Sequence, residues 1–265
     1  MPIQRLISSI LWVGIIILAV WYQAVFILCV MALIIAGLYE FFNLIEKKGI
    51  AIYKYFGMFI GIIIPLSIIV KFELTKGWEL LFIVVALLSL FILQFRRHDN
   101  SQAIAGISTT LFGILYVSWF FSFLIKIRYL PDGRGLLAAI LLITKATDIG
   151  AYLIGSRFGR HKLIPRISPN KSIEGSLGGL LFSMIAAFIS KGWLGFSSLH
   201  ALLVGLGVGI LAELGDLSES LIKRDCKVKD SGMLFPGLGG VLDLIDSLLF
   251  SAPVFYFYMS NVLFK

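Results

Sequence analysis

The chain has 265 residues, of which 59% are hydrophobic and only 14% charged, and it carries a formal net charge of +8. Soluble domains carry roughly 45–50% apolar and about 25% charged residues, so an ordinary soluble fold is excluded. The basic excess does not mark a nucleic-acid binder, because no soluble basic domain or RNA-binding signature accompanies it; basic loops beside a bilayer attract anionic lipid head groups or set topology.

Apolar runs of about 17–25 residues, the length that crosses a bilayer as a helix, alternate with short polar segments. The predicted class is an all-α polytopic integral membrane protein with about nine transmembrane helices. The first two spans, near 6–22 and 24–44, are separated by almost nothing and should form a tight hairpin. The N-terminal run has one Arg before it but no clean small-x-small cleavage site, so it reads as an uncleaved first helix. Spans near 55–71, 78–95 and 102–125 follow, built from generic Leu, Ile, Val and Phe. Glu40 is the main acid of this half and reads as a paired structural or interfacial residue. The remaining spans fall near 135–155, 174–191, 198–220 and 240–262. With the N-terminus in the cytoplasm, most of the 23 Lys and Arg residues fall in cytoplasmic segments, above all 156–173 and 221–239. Lys47, Lys48, Arg96 and Arg97 then read as topology signals. Cys29 sits in an apolar span and Cys226 in a cytoplasmic loop, so no structural disulfide is expected.

Information is unevenly spread. Residues 1–130 read as a lipid-facing scaffold, and 131–265 as the catalytic region, because ionisable residues inside a bilayer are costly and gather there. Asp243 and Asp246 share a helix face, as do Glu213, Asp216 and Ser220, and Thr144, Asp148 and Tyr152. If the three stripes face one another they form an acidic pocket. Such carboxylates either protonate or bind a cation. Oxygen donors select Mg²⁺, Ca²⁺ or Mn²⁺, and His98, His161 and His200 are too scattered for zinc. Magnesium takes part of its shell from substrate phosphate. The basic loops and the glycines at 237, 239 and 240 ahead of a helix start are the groups expected around phosphates. Together these suggest nucleotidyl or phosphoryl transfer at the membrane surface.

Blander readings stand beside this one. A Gly-Gly pair before a helix also serves as a turn; "GLGVG" at 205–209 reads as helix packing, and "GSRFG" at 155–159 reads equally as such. Lys145 and Asp148 can simply neutralise one another. The aspartates can line a proton or ion path, as in an ion-coupled transporter.

The stretch "SLIKRDCKVKDSGMLFPGLGGVLDLID" (220–246) resembles the signature of phosphatidate cytidylyltransferases, also called CDP-diacylglycerol synthases, through Ser220, Lys223, Arg224, Lys229, Asp230, Gly232, Pro236, Gly239, Gly240, Asp243 and Asp246. "DIGAYLIGSRFGRHKLIPRISPNKSIEGSLGG" (148–179) is similar to the family's second region through Asp148, Tyr152, Gly155, Gly159, Lys162, Ser168, Pro169, Lys171, Glu174 and Gly175. The chain departs from the pattern at Leu238, where the family has His, at Leu244, where it has Arg, and at Ile173, where an aromatic is common.

The resemblance implies transfer of CMP from CTP to phosphatidic acid, with release of pyrophosphate, in phospholipid biosynthesis. A related CTP-dependent transfer to another lipid is the alternative. It implies Mg²⁺, with K⁺ as a further candidate ion, held by Asp216, Asp243 and Asp246. Lys229 is expected to act in catalysis, and Lys162, Lys171, Lys223 and Arg224 to contact phosphates. Asp148, Ser168, Glu174, Ser220, Asp230, Gly239 and Gly240 are expected to shape the substrate site. The expected setting is a homodimer among the lipids of the inner cell membrane, with its site facing the cytoplasm and no nucleic-acid partner. The phosphomonoester of phosphatidate has a second pKa near 6, so no strong general base is needed, and Leu238 removes nothing essential. Leu244 removes a cation, for which Lys145 is a candidate replacement.

Overall fold

A computed structural model describes residues 2–72, 78–232 and 239–263; Pro236, Gly237 and Leu238 of the signature lie outside them. The protein is an all-α membrane protein, with one small antiparallel hairpin among the described residues. Among the described residues, five helical stretches are long and apolar enough to cross a bilayer: Gln23–Lys47, Ala103–Tyr129, Gly133–Phe158, Ser198–Asp225 and Val241–Leu263. Shorter apolar helices cover Leu11–Trp21, Lys54–Ile69, Leu80–Phe95 and Ile173–Ile189. The chain divides into two compact units, one of Met1–Ile125 with Cys226–Leu242, the other of Lys126–Asp225 with Asp243–Lys265.

The first unit contains α1 (Pro2–Trp21), α2 (Gln23–Lys47), α3 (Lys54–Ile69), α4 (Trp78–Phe95) and α5 (Ala103–Gly113). A π-helical turn, Ile114–Trp119, joins α5 to α6 (Phe120–Tyr129). Only Tyr22 separates α1 from α2, the tight junction expected from the sequence. α2 buries Phe26, Val30, Ile34, Leu38, Phe41 and Phe42 along one stripe. Helix α3 continues through Pro65, which has no N–H to offer the carbonyl four residues earlier. That carbonyl, Gly61 O, instead accepts the Ser118 hydroxyl of the π-helical turn at 2.5 Å. A backbone acceptor in lipid must be satisfied from within the protein, and the widened turn supplies the donor.

Arg97 does more than mark topology. It donates to Ala51 O (2.7 Å) and Ile52 O (2.9 Å), and its guanidinium lies 3.8 Å from the centre of the Tyr53 ring. The planar fork suits this combination of stacking and paired donation. Lys54 pairs with Glu46 at 2.8 Å.

The second unit contains α7 (Gly133–Phe158), the hairpin β1 (Lys162–Ile164) and β2 (Ser168–Ser172), α8 (Ile173–Ile189), the short α9 (Lys191–Leu194), α10 (Ser198–Asp225) and most of α11 (Val241–Leu263). α7 and α8 approach through small residues: a Cβ at Gly150 would lie 2.6 Å from Phe182, and one at Gly175 3.0 Å from the Gly155 Cα. Close backbone approach of this kind drives helix association in lipid. The packing reading of 205–209 holds for Gly205, whose Cβ would lie 2.6 Å from Ala187, and for Gly209, which faces Ser183, whereas Gly207 borders open space.

Two features depart from the sequence expectation. The basic segment 156–173, expected as a loop, contains the hairpin, pairing Lys162 with Ser172 and Ile164 with Ser168 through an irregular register. β2 runs directly into α8, and Ser172 caps that helix by accepting the Gly175 N–H at 3.1 Å. α10 also extends past residue 220 to Asp225, so Lys223 and Arg224 lie on a helix rather than in a loop, while Ser220 is helical as expected.

Candidate functional site

Within the second unit, α7, the hairpin, α8, α10 and α11 line a cavity of about 510 Å³. The three stripes read from the sequence meet there: Asp148 and Tyr152 from α7, Glu213 and Asp216 from α10, Asp243 and Asp246 from α11. Gly215 allows this convergence, because a Cβ there would lie 3.1 Å from the Asp246 carbonyl carbon and 3.3 Å from the Ser247 Cα. α11 therefore passes α10 at the level of both aspartates.

Each lysine in the site holds a carboxylate. Lys171, delivered by β2, pairs with Asp216 at 2.6 Å, and Lys145 with Asp148 at 2.9 Å. Lys223 contacts Asp243 at 2.5 Å and Glu219 one turn back on its own helix. Lys145 does neutralise Asp148, yet it also feels the charges of Asp246 and Asp216, so it serves the acidic cluster as a whole. Asp246, only 7% exposed, lies in the field of Asp216, Lys145 and Asp148.

Several contributors escaped the sequence reading. Ser247 links two acids: its hydroxyl lies 3.1 Å from Asp148 Oδ1 and 3.0 Å from Asp246 Oδ1, and its N–H donates to the latter. Ser176 donates to Glu213. Glu219 is 1% exposed and meets Lys223 as an ion pair without hydrogen-bond geometry. Its i,i+4 spacing to Lys223 was the available signal. Ser247 offered none beyond its adjacency to Asp246.

The other expected residues separate into three groups. Ser220 reaches toward Asp216 at 3.5 Å. Arg224 donates to Ile167 O at 3.2 Å, tying the end of α10 to the hairpin turn, while Lys162 and Ser168 begin the two strands. Glu174 accepts the backbone N–H groups of Arg160 (3.0 Å) and His161 (3.2 Å) and pairs with the His161 ring at 2.6 Å, so it shapes the base of the hairpin. Lys229, Asp230, Gly239 and Gly240 fold with the first unit. Leu244 is half-buried on α11.

Among the described residues, no three His, Cys, Asp or Glu side chains are gathered as a ready-made cage. The acids of the cavity outnumber its lysines, however, and all are hard oxygen donors. An excess of carboxylates in a low-dielectric setting calls for another positive charge. The set suits an ion such as Mg²⁺, which uses one or two carboxylates and completes its shell from phosphate and water.

Residues 3–262 match the model of the cytidylyltransferase family. The chain is 35% identical over 293 residues to a Synechocystis protein named phosphatidate cytidylyltransferase, covering 98% of this chain and 97% of that one. It is 41% identical over 163 residues to the uncharacterized protein YnbB of Escherichia coli, covering 61% of this chain and 54% of the relative. It is 39% identical over 149 residues to the Bacillus subtilis phosphatidate cytidylyltransferase, covering 55% of each. The match thus spans nearly all of the first relative and about half the length of the other two.

Proposed function

The chain belongs to the cytidylyltransferase family, and on that premise we propose that it transfers CMP from CTP to phosphatidic acid, giving CDP-diacylglycerol and pyrophosphate. The observation that carries this reading is the single cavity where Asp148, Asp216, Asp243 and Asp246 meet Lys171, with Lys223 bound to Asp243.

In the proposed reaction a phosphate oxygen of phosphatidate attacks the α-phosphorus of CTP. A new P–O bond forms, the bond to the β-phosphate oxygen breaks, and its electron pair leaves with pyrophosphate. The nucleophile is already largely ionised at neutral pH, so the difficulty lies in joining two anions and stabilising the leaving group. Lys171 and Lys223 each have further N–H donors beyond their carboxylate partners, and these suit phosphate oxygens. Ser247 holds Asp148 and Asp246 in register, and Ser176 does the same for Glu213. Asp216 and Asp246, with Asp243 at the edge of the same group, would hold Mg²⁺, which supplies charge neutralisation at the phosphates; K⁺ is a further candidate at the same acids. Lys145 takes the place of the cation missing at Leu244. Lys229 is assigned to catalysis, and Asp230, Gly239 and Gly240 to substrate binding, on the family pattern alone.

We further assign nine transmembrane spans with residues 1–130 as scaffold and 131–265 as catalytic region, a homodimeric state, and a place in the inner cell membrane with the site facing the cytoplasm. The basic bias of the hairpin segment and the end of α10 supports that orientation. The test is pyrophosphate release by purified protein given CTP, phosphatidate and Mg²⁺, beside Asp246→Asn. Release that depends on phosphatidate and fails in the variant is expected. No release from well-folded wild type would sink the assignment, and release with another lipid phosphate only would redirect it to a related transferase.

A further inference from the structure

Among the described residues, the proposed chemistry leaves the buried acid of the first unit without a role. Glu40 of α2 is 4% exposed, within the first unit. Its Oε2 accepts the Leu242 N–H at 3.1 Å and the Ser231 hydroxyl at 3.2 Å. Leu242 lies in the first turn of α11, where N–H groups have no partner inside the helix. The residue before that helix is Gly240, which has no side chain to cap it. A carboxyl from a distant helix therefore does the work that a Ser or Asp normally does locally. Two glycines make room: a Cβ at Gly240 would lie 2.6 Å from Glu40 Oε2, and one at Gly232 2.6 Å from the Glu40 carboxyl carbon. Gly239 adopts φ 94°, a conformation that favours glycine, in the turn that presents Gly240 to Glu40.

We propose that Glu40 is a positioning residue for the transfer reaction: it anchors Ser231 and the first turn of α11, and so fixes where that helix presents Asp243 and Asp246. Asp243 follows Leu242 directly, so a lost or shifted first turn carries its carboxylate with it. Misplacement by about 1 Å can cost on the order of 10²-fold in rate. Glu40 itself touches none of the reacting groups; it acts through α11.

The activity side of the test rests on the cytidylyl-transfer reading, while hydrogen exchange does not. Full-length wild type, Glu40→Ala, Glu40→Gln and Ser231→Ala are compared in lipid nanodiscs. In Glu40→Ala, amides of 239–246 should exchange at least about tenfold faster, with α7 and α8 unchanged. The Mg²⁺ concentration for half-maximal turnover should rise about tenfold, more than the KM for CTP. Glu40→Gln keeps an acceptor oxygen but loses charge assistance, so a shift of about two- to fivefold is expected. Ser231→Ala removes one of two donors and should shift less than about threefold. Wild-type exchange at 239–246, or an unshifted Mg²⁺ requirement in an active Glu40→Ala protein, overturns the proposal. Should Glu40→Ala not fold, unchanged values in Glu40→Gln overturn it equally. A wild type without turnover refutes the transfer reading alone, and exchange then decides the role of Glu40.

Discussion

Two regions of this protein bury carboxylates, and they treat them in opposite ways. Around Glu40, among the described residues, a hydroxyl and a backbone N–H satisfy one oxygen, and two glycines close around the group. Around Asp216 and Asp243 the partners are lysines, Asp246 beside them is held by the N–H and hydroxyl of Ser247, the acids exceed the lysines, and about 510 Å³ of space is left open. Burial alone does not separate them, since Glu40 is 4% and Asp246 7% exposed. The open cavity and the lysines on the neighbouring acids do. A carboxylate packed against backbone is committed to the fold, whereas one sharing a cavity with ammonium groups can exchange partners with an anionic substrate.

The contrast can be broken at several points. The largest effect is expected for Asp246→Asn, which should reduce turnover by at least about 10²-fold with little change in thermal unfolding; a variant equally impaired in folding would place Asp246 with Glu40 instead. Lys223→Met should come next. It removes the lysine shared by Glu219 and Asp243, and breaking a buried ion pair costs about 3–5 kcal/mol. Lys223→Met combined with Glu219→Gln should recover part of that loss in thermal unfolding, and no recovery would mean that Asp243 alone sets the penalty. Lys145→Met should lower turnover about tenfold, since one cation acting on developing phosphate charge is worth that order; unchanged turnover would remove Lys145 as the replacement for the cation missing at Leu244. The smallest effect separates two glycines of one motif. Gly205→Ala meets Ala187 and should cost about 1–3 kcal/mol, while Gly207→Ala meets nothing within 4 Å and should be neutral or stabilising by up to about 1 kcal/mol.

The aspartate stripes were legible because helical spacing fixes which residues share a face, and Asp148, Asp216, Asp243 and Asp246 do line one cavity. Membrane character was equally legible, from uninterrupted apolar length. The hairpin was not, since Lys162–Ser172 contains two prolines, no alternation of apolar and polar residues, and an irregular register. The roles of Ser247 and Arg97 were hidden for another reason. Their partners are remote in the chain, Asp148 for the first and Ala51 and Ile52 for the second, so only tertiary packing brings them together. Glu40 was noticed as an isolated acid, but its partner helix begins 201 positions later in the sequence and no local pattern points there.

That separation also has a consequence for how the protein is made. Ser231 and Leu242 follow Glu40 by 191 and 202 residues. At about 5–20 residues per second, a ribosome needs on the order of 10–40 s to cover that distance. For most of that interval the second helix has left the ribosome while the groups that satisfy its acid have yet to be synthesised. A nascent chain halted before residue 231 should therefore keep α2 near the insertion machinery or lose it to membrane proteases, and release should coincide with the arrival of the final helix.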